Sequence, residues 1–104
     1  MEKISECEEM VLVVVYRSRT IPRVKDILVD VNWLYGREWK AQTVSTFLSR
    51  LIRKGYLRTE KKGRDIYYYP VIALEEYRKS KLKELKEGLF ENDGELLGRY
   101  LREL

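Results

Sequence analysis

The sequence contains no histidine and only one cysteine, Cys7, among 104 residues. Without histidine the chain lacks the commonest general base near neutral pH and the commonest metal-binding side chain. A lone cysteine excludes an internal disulfide and fits a reducing compartment. Cys7 reads as a small apolar core side chain, not as a redox sensor. No glycine-rich phosphate loop is present, and the acidic residues form no cluster beyond what helix surfaces carry. An enzyme is therefore not expected, nor a cofactor, nor a metal. The apolar run Met10–Tyr16 is far shorter than the roughly 20 residues that cross a bilayer. Glu2 and Glu6 spoil the basic start of a signal peptide. The expectation is a cytoplasmic protein without a membrane partner.

What the chain does have is focused positive charge. Its net charge is +4, yet the stretch 39–64, WKAQTVSTFLSRLIRKGYLRTEKKGR, holds eight Lys or Arg against one acid, Glu60. The remainder is slightly acidic. Charge concentrated beside a short helix points to a polyanion. Within that stretch Ala41, Val44, Leu48, Leu51 and Ile52 recur at helical spacing and predict a helix over 41–54 with one buried face. The other face carries Gln42, Thr43, Ser45, Thr46, Ser49, Arg50 and Arg53. Ser and Thr are mediocre helix formers, and the helix taken alone leaves two readings open, a merely solvated polar side or a surface that meets DNA. Such a face suits a DNA major groove. Short hydroxyls allow close approach, Gln can pair with adenine, and Arg can reach guanine or phosphate.

Gly55 after Arg53-Lys54 predicts a helix C-cap. Leu57–Lys61 and Asp65–Tyr69 read as two strands around the turn Lys62-Gly63-Arg64, with Gly63 supplying a positive φ. A hairpin whose tip shows Lys61, Lys62 and Arg64, directly after a candidate recognition helix, is a winged-helix arrangement. Alternation sends Tyr67 and Tyr69 to one face and Tyr68 to the other. Those rings could stack on single-stranded nucleic acid, but packing on a helical core is the favoured reading.

The run TVSTFLSRLIRKGYL, then EKKGRDIYYYP, then EEY resembles the penicillinase repressor family of bacterial winged-helix regulators, which includes β-lactamase, methicillin-resistance and copper-operon repressors. The resemblance covers roughly residues 4–80. It implies a homodimeric repressor bound to double-stranded operator DNA with dyad symmetry, often of TACA/TGTA type. It places DNA contacts at Gln42, Thr43, Ser45, Thr46 and Arg50, and wing contacts at Lys62 and Arg64. Lys40 stands where a Ser or Thr cap is common, and it adds a cation for phosphate. Lys40, Arg53 and Lys61 complete the expected DNA-binding set. Trp39 matches a family tryptophan and reads as a core anchor, since duplex bases stay stacked.

Around this centre, Ser5-Glu6-Cys7-Glu8 is a capping box opening a first helix to about Arg17, with Ile4 able to staple back. Cys7, Met10, Val11 and Val14 are expected in the core. Leu12, Val15 and Tyr16 fall on other faces and could meet C-terminal helices. Thr20-Ile21-Pro22 predicts the start of a second helix, with Val24, Ile27, Leu28 and Val31 buried and an end near Asn32. Asn32–Glu38 then reads as a loop, a residue or two longer than in many relatives.

Leu74 to about Gly88 predicts a fourth helix, and Asn92-Asp93-Gly94-Glu95 caps a fifth. Tyr77, Leu82, Leu85, Leu89, Leu96, Leu97, Tyr100 and Leu101 form stripes that a complete winged-helix core would leave over. A symmetric dimer could cover them. The expected fold is mainly α with a small β-hairpin: a winged helix-turn-helix DNA-binding domain at 1–71 and C-terminal dimerisation helices at 72–104. In the penicillinase and methicillin branches a sensor protease cuts the dimerisation region, commonly before a Phe. Leu89-Phe90 is the nearest candidate, with different flanks. The copper branch uses C-terminal cysteine pairs, and none follows Cys7. A protein–protein adaptor and a non-specific nucleic-acid binder are the alternative functions.

Overall fold

The computed structural model describes residues 2–104; Met1, the first position of the expected domain 1–71, lies outside them. The elements run α1 (Glu6–Arg17), α2 (Val24–Tyr35), α3 (Ala41–Arg53), β1 (Leu57–Lys62), β2 (Asp65–Pro70), α4 (Leu74–Glu87) and α5 (Gly94–Arg102). The chain divides into two compact units, 1–72 and 73–104.

In the first unit α1 opens on the expected capping box. Ser5 Oγ accepts the Glu8 N–H at 3.1 Å, and the Glu8 carboxylate accepts the Ser5 N–H at 3.2 Å. This cap settles the Val-rich run as helix against its strand propensity. The buried set differs from the expectation. Val11, Leu12, Val14 and Val15 are buried, whereas Cys7 and Met10 are only half-buried. The reason is that α1 packs against α2, α3 and β2, so it buries more than one face. The Tyr16 hydroxyl donates to the Ile72 carbonyl at 2.6 Å.

The start of α2 departs from the sequence reading. Thr20 does not cap it. Arg23 is the N-cap residue, and its N–H donates to Asp26 Oδ2 at 3.0 Å. The residues just ahead of Arg23 are not helical, and the Pro22 carbonyl accepts the Tyr68 N–H at 3.0 Å, which ties that segment to the edge of the hairpin. The far end also shifts, since α2 continues to Tyr35 and closes at Gly36 in the left-handed region. The predicted loop from Asn32 shrinks accordingly to the connector 36–40.

A Schellman closure ends α3: the Gly55 N–H reaches Ile52 O at 3.0 Å and the Tyr56 N–H reaches Leu51 O at 2.9 Å. It requires the positive φ of Gly55, +88°. The hairpin pairs Lys62 with Asp65 and Leu57 with Pro70, leaving Gly63-Arg64 as a two-residue turn with Gly63 at φ +64°. Tyr68 is buried while Tyr67 and Tyr69 are half-buried, so the wing packs its central tyrosine inward, as the favoured reading had it.

In the second unit α4 spans Leu74–Glu87, and Asp93, one residue later than the sequence suggested, caps α5. Its Oδ1 accepts the Glu95 and Leu96 N–H groups at 3.0 and 3.1 Å. Asn92 instead takes a left-handed conformation, φ 60°, and so serves the turn. Among the described residues no helix is long and apolar enough to cross a membrane.

Candidate nucleic-acid interface

The polar side of α3 is built by the burial of its opposite side. Val44, Leu48 and Leu51 are fully buried, while Ile52, expected with them, is 38 % exposed. Ala41 is exposed too. The buried stripe is thus narrower than the periodicity suggested, and the polar face correspondingly wider. Gln42, Thr43, Thr46, Ser49, Arg50 and Arg53 are exposed, and Ser45 is half-buried. The Thr46 hydroxyl donates to the Gln42 carbonyl at 3.0 Å. Its proton is therefore engaged within the helix, and outward it offers lone pairs and a methyl group.

Two devices hold this helix in place. At its N-terminus the Asn32 side chain grips the backbone of Trp39 from both sides, Oδ1 accepting the N–H and Nδ2 donating to the carbonyl, each at 3.0 Å. The Trp39 ring rests 5.1 Å from Phe47, and the Arg37 guanidinium sits 5.8 Å from its centroid. Trp39 is therefore an anchor for α3. Lys40 is the N-cap residue with no side-chain cap bond, as its identity suggested, and is exposed.

At the C-terminus lies a feature the sequence reading missed. Glu8 is the buried charged residue of the core, 2 % exposed. Lys54 Nζ donates to its Oε1 at 2.7 Å, and an Arg50 nitrogen stands 3.9 Å from its Oε2. Burial pushes the Glu8 carboxyl up. The hydrogen bonds from Lys54 and Ser5 and the Lys54 charge outweigh that and hold it below the usual carboxylate range. Lys54 is turned inward, and Arg50 is shared between protein and solvent.

The wing carries the remaining cations. Lys61, Lys62 and Arg64 are exposed. On one hairpin face Arg58 lies 4.4 Å from the Tyr69 ring and Lys62 5.6 Å from the Tyr67 ring. Both rings are thus covered by cations, a poor arrangement for stacking bases. Glu60, the lone acid of the stretch 39–64, pairs with Arg58 at 3.2 Å. The hydroxyl of Tyr69 and then Arg58 hold its carboxyl low. Arg23 reaches across to Asp65 at 3.7 Å, joining α2 to the wing.

In the second unit Leu82, Leu85, Leu89, Tyr100 and Leu101 are exposed, whereas Tyr77 and Leu97 are each 8 % exposed. Those two have little surface to offer a partner. Leu96 is half-buried. Phe90 packs edge-on to Tyr100 at 5.5 Å, and Leu89-Phe90 lies between α4 and α5. No group of three potential metal ligands occurs among the described residues.

The arrangement has counterparts. The solution structure of the monomeric form of BlaI from Bacillus licheniformis, in complex with the blaP half-operator, is similar with a TM-score of 0.59. The two share 30 % identity over 73 % of this chain and 89 % of that one. An uncharacterized 16.5 kDa protein in the ptsI 3′ region of Latilactobacillus sakei is 36 % identical over 53 residues. The match spans 51 % of this chain but only 36 % of that protein. The penicillinase repressor model matches residues 4–103, which takes in the capping box of α1, the polar face of α3, the basic wing and the C-terminal helices. With that span and that architecture, the chain belongs to the penicillinase repressor family.

Proposed function

We propose that the protein is a sequence-specific transcriptional repressor that binds duplex operator DNA as a homodimer. Each α3 enters a major groove and each wing tip touches the adjacent backbone. The observation that carries the reading is the hydroxyl- and amide-rich face of α3, held outward by the fully buried Val44, Leu48 and Leu51 and followed in the chain by a hairpin whose Lys61, Lys62 and Arg64 are exposed. Gln42, Thr43, Ser45, Thr46 and Arg50 read bases. Lys40, Arg53 and the wing cations contact phosphates and give the binding its salt dependence. The similar BlaI monomer is in complex with a half-operator, which supports a DNA partner.

The exposed Leu82, Leu85, Leu89, Tyr100 and Leu101 form the dimer face, since apolar side chains on two consecutive helices need a partner surface. A dyad operator follows from a two-fold dimer, with half-site centres about 34 Å or a multiple apart. A sensor protease acting near Leu89-Phe90 would separate the DNA-binding unit from part of that face.

Selection of duplexes from a random pool tests the reading. The wild type is expected to enrich a dyad, while Gln42→Ala and Thr46→Ala shift the enriched sequence and Arg64→Ala lowers affinity for every sequence alike. A pool that stays random under wild-type selection would remove sequence-specific repression. Sedimentation of Leu85→Asp/Leu101→Asp is expected to show monomers with weakened operator binding. Unchanged association would remove the dimer face.

A further inference from the structure

We propose that Glu8, a residue of α1, is a positioning residue for the recognition helix, fixing where Arg50 points and thereby sharpening discrimination between operator and other DNA. The inference rests on the proposed DNA-reading role of α3 and goes beyond it.

A capping-box glutamate usually works in solvent, where one hydrogen bond from the N-cap N–H suffices. Glu8 is instead 2 % exposed, and a buried carboxylate is costly unless charge and hydrogen bonds surround it. Its Oε1 accepts both the Ser5 N–H and Lys54 Nζ, at 3.2 and 2.7 Å. Its Oε2 faces Arg50 at 3.9 Å. The site is closed by the segment before α1. Lys54 Nζ also donates to the Lys3 carbonyl at 3.1 Å, and the Tyr56 hydroxyl donates to the Glu2 carbonyl at 2.7 Å. The first turn of α1 and the last turn of α3 are thus tied through one carboxylate.

Arg50 is the member of this cluster that can also face DNA. It stands one turn before Lys54 and keeps 49 % of its side chain exposed. One of its guanidinium nitrogens is 3.9 Å from Oε2 of Glu8, and the guanidinium carbon is 6.0 Å from the Phe47 ring centroid. A long side chain with two such neighbours has fewer rotamers to lose on binding, which favours the one approach that matches it. The negative charge behind it also offsets part of its pull on phosphates in general, so Glu8 weakens indiscriminate binding while favouring the matched contact.

Glu8→Gln keeps an acceptor for the Ser5 N–H and removes the charge. Affinities of wild type, Glu8→Gln, Arg50→Ala and the double variant are measured on the selected operator and on scrambled duplex, with thermal unfolding alongside. The ratio of operator to scrambled affinity is expected to fall about tenfold in Glu8→Gln, with scrambled binding no weaker than wild type. In the Arg50→Ala background the same change should leave the ratio where it was. Should Glu8→Gln not fold, Glu8→Asp is the substitute: it draws the carboxylate back from Arg50 but keeps its charge, so the ratio is expected to fall with scrambled binding at the wild-type level. Full discrimination in the variant, or proportional loss on both duplexes whether or not Arg50 is present, would overturn the role. A wild type that discriminates no sequence brings down the DNA reading itself, and this inference with it.

Discussion

Replacing Leu48 by alanine should lower the free energy of unfolding by roughly 2–5 kcal/mol and abolish operator binding at temperatures where the wild type binds. Leu48 is fully buried and sits on the helix whose other side is the proposed reading surface. Deleting three of its carbons removes apolar contact and leaves a void that the neighbours fill only partly. Small domains hold only about 5–15 kcal/mol in total, so such a loss populates unfolded chain on heating. The neighbouring Ser49→Ala, on the exposed side, is the control and should stay within about 0.5 kcal/mol. Urea denaturation of both variants checks the pair. A loss below 1 kcal/mol for Leu48→Ala would mean that α3 does not turn this side inward.

Removing both wing-tip cations, Lys62→Ala with Arg64→Ala, should weaken binding to any duplex about thirtyfold near 0.15 M salt, from about 1 kcal/mol of counterion release per phosphate contact. Both residues are exposed and flank the turn at Gly63. The double variant should also reduce the slope of log K against log salt by about 2. Sequence preference should not change, because phosphate contacts carry no base information. Folding should be nearly intact. Lys62 does lie over Tyr67, but a cation–π contact at an exposed site contributes little. Anisotropy titrations across a salt series measure both quantities. An unchanged slope would remove the wing from the interface.

Much of this architecture was legible because local signals agreed. Ser5 and Glu8 outweighed a valine-rich run, Gly55 closed α3, and Gly63 marked the turn. Spacing picked out the polar side chains of α3, although Ala41 and Ile52, expected inside, are exposed as well. The errors lie where distant segments intervene. Thr20 and Pro22 have the chemistry of a helix start, but the Pro22 carbonyl is engaged by Tyr68 on the returning strand of the wing. The burial of Glu8 was equally invisible. A glutamate at the third helical position is ordinarily solvated, and nothing local reveals that Lys54 arrives to neutralise it. A single helical stripe would leave Leu12 and Val15 outside the core, whereas α1 meets three neighbours and buries both.

The amide of Asn32 bears on how this scaffold could be re-engineered. It meets a donor and an acceptor on the same residue, Trp39, at equal distance. An aspartate there would press an oxygen against a carbonyl, and a leucine would satisfy neither group. Transplanting a foreign reading helix into this chain therefore demands that its entry point be keyed to that one carboxamide. A graft begun after Lys40 keeps the lock, and one begun earlier has to supply its own.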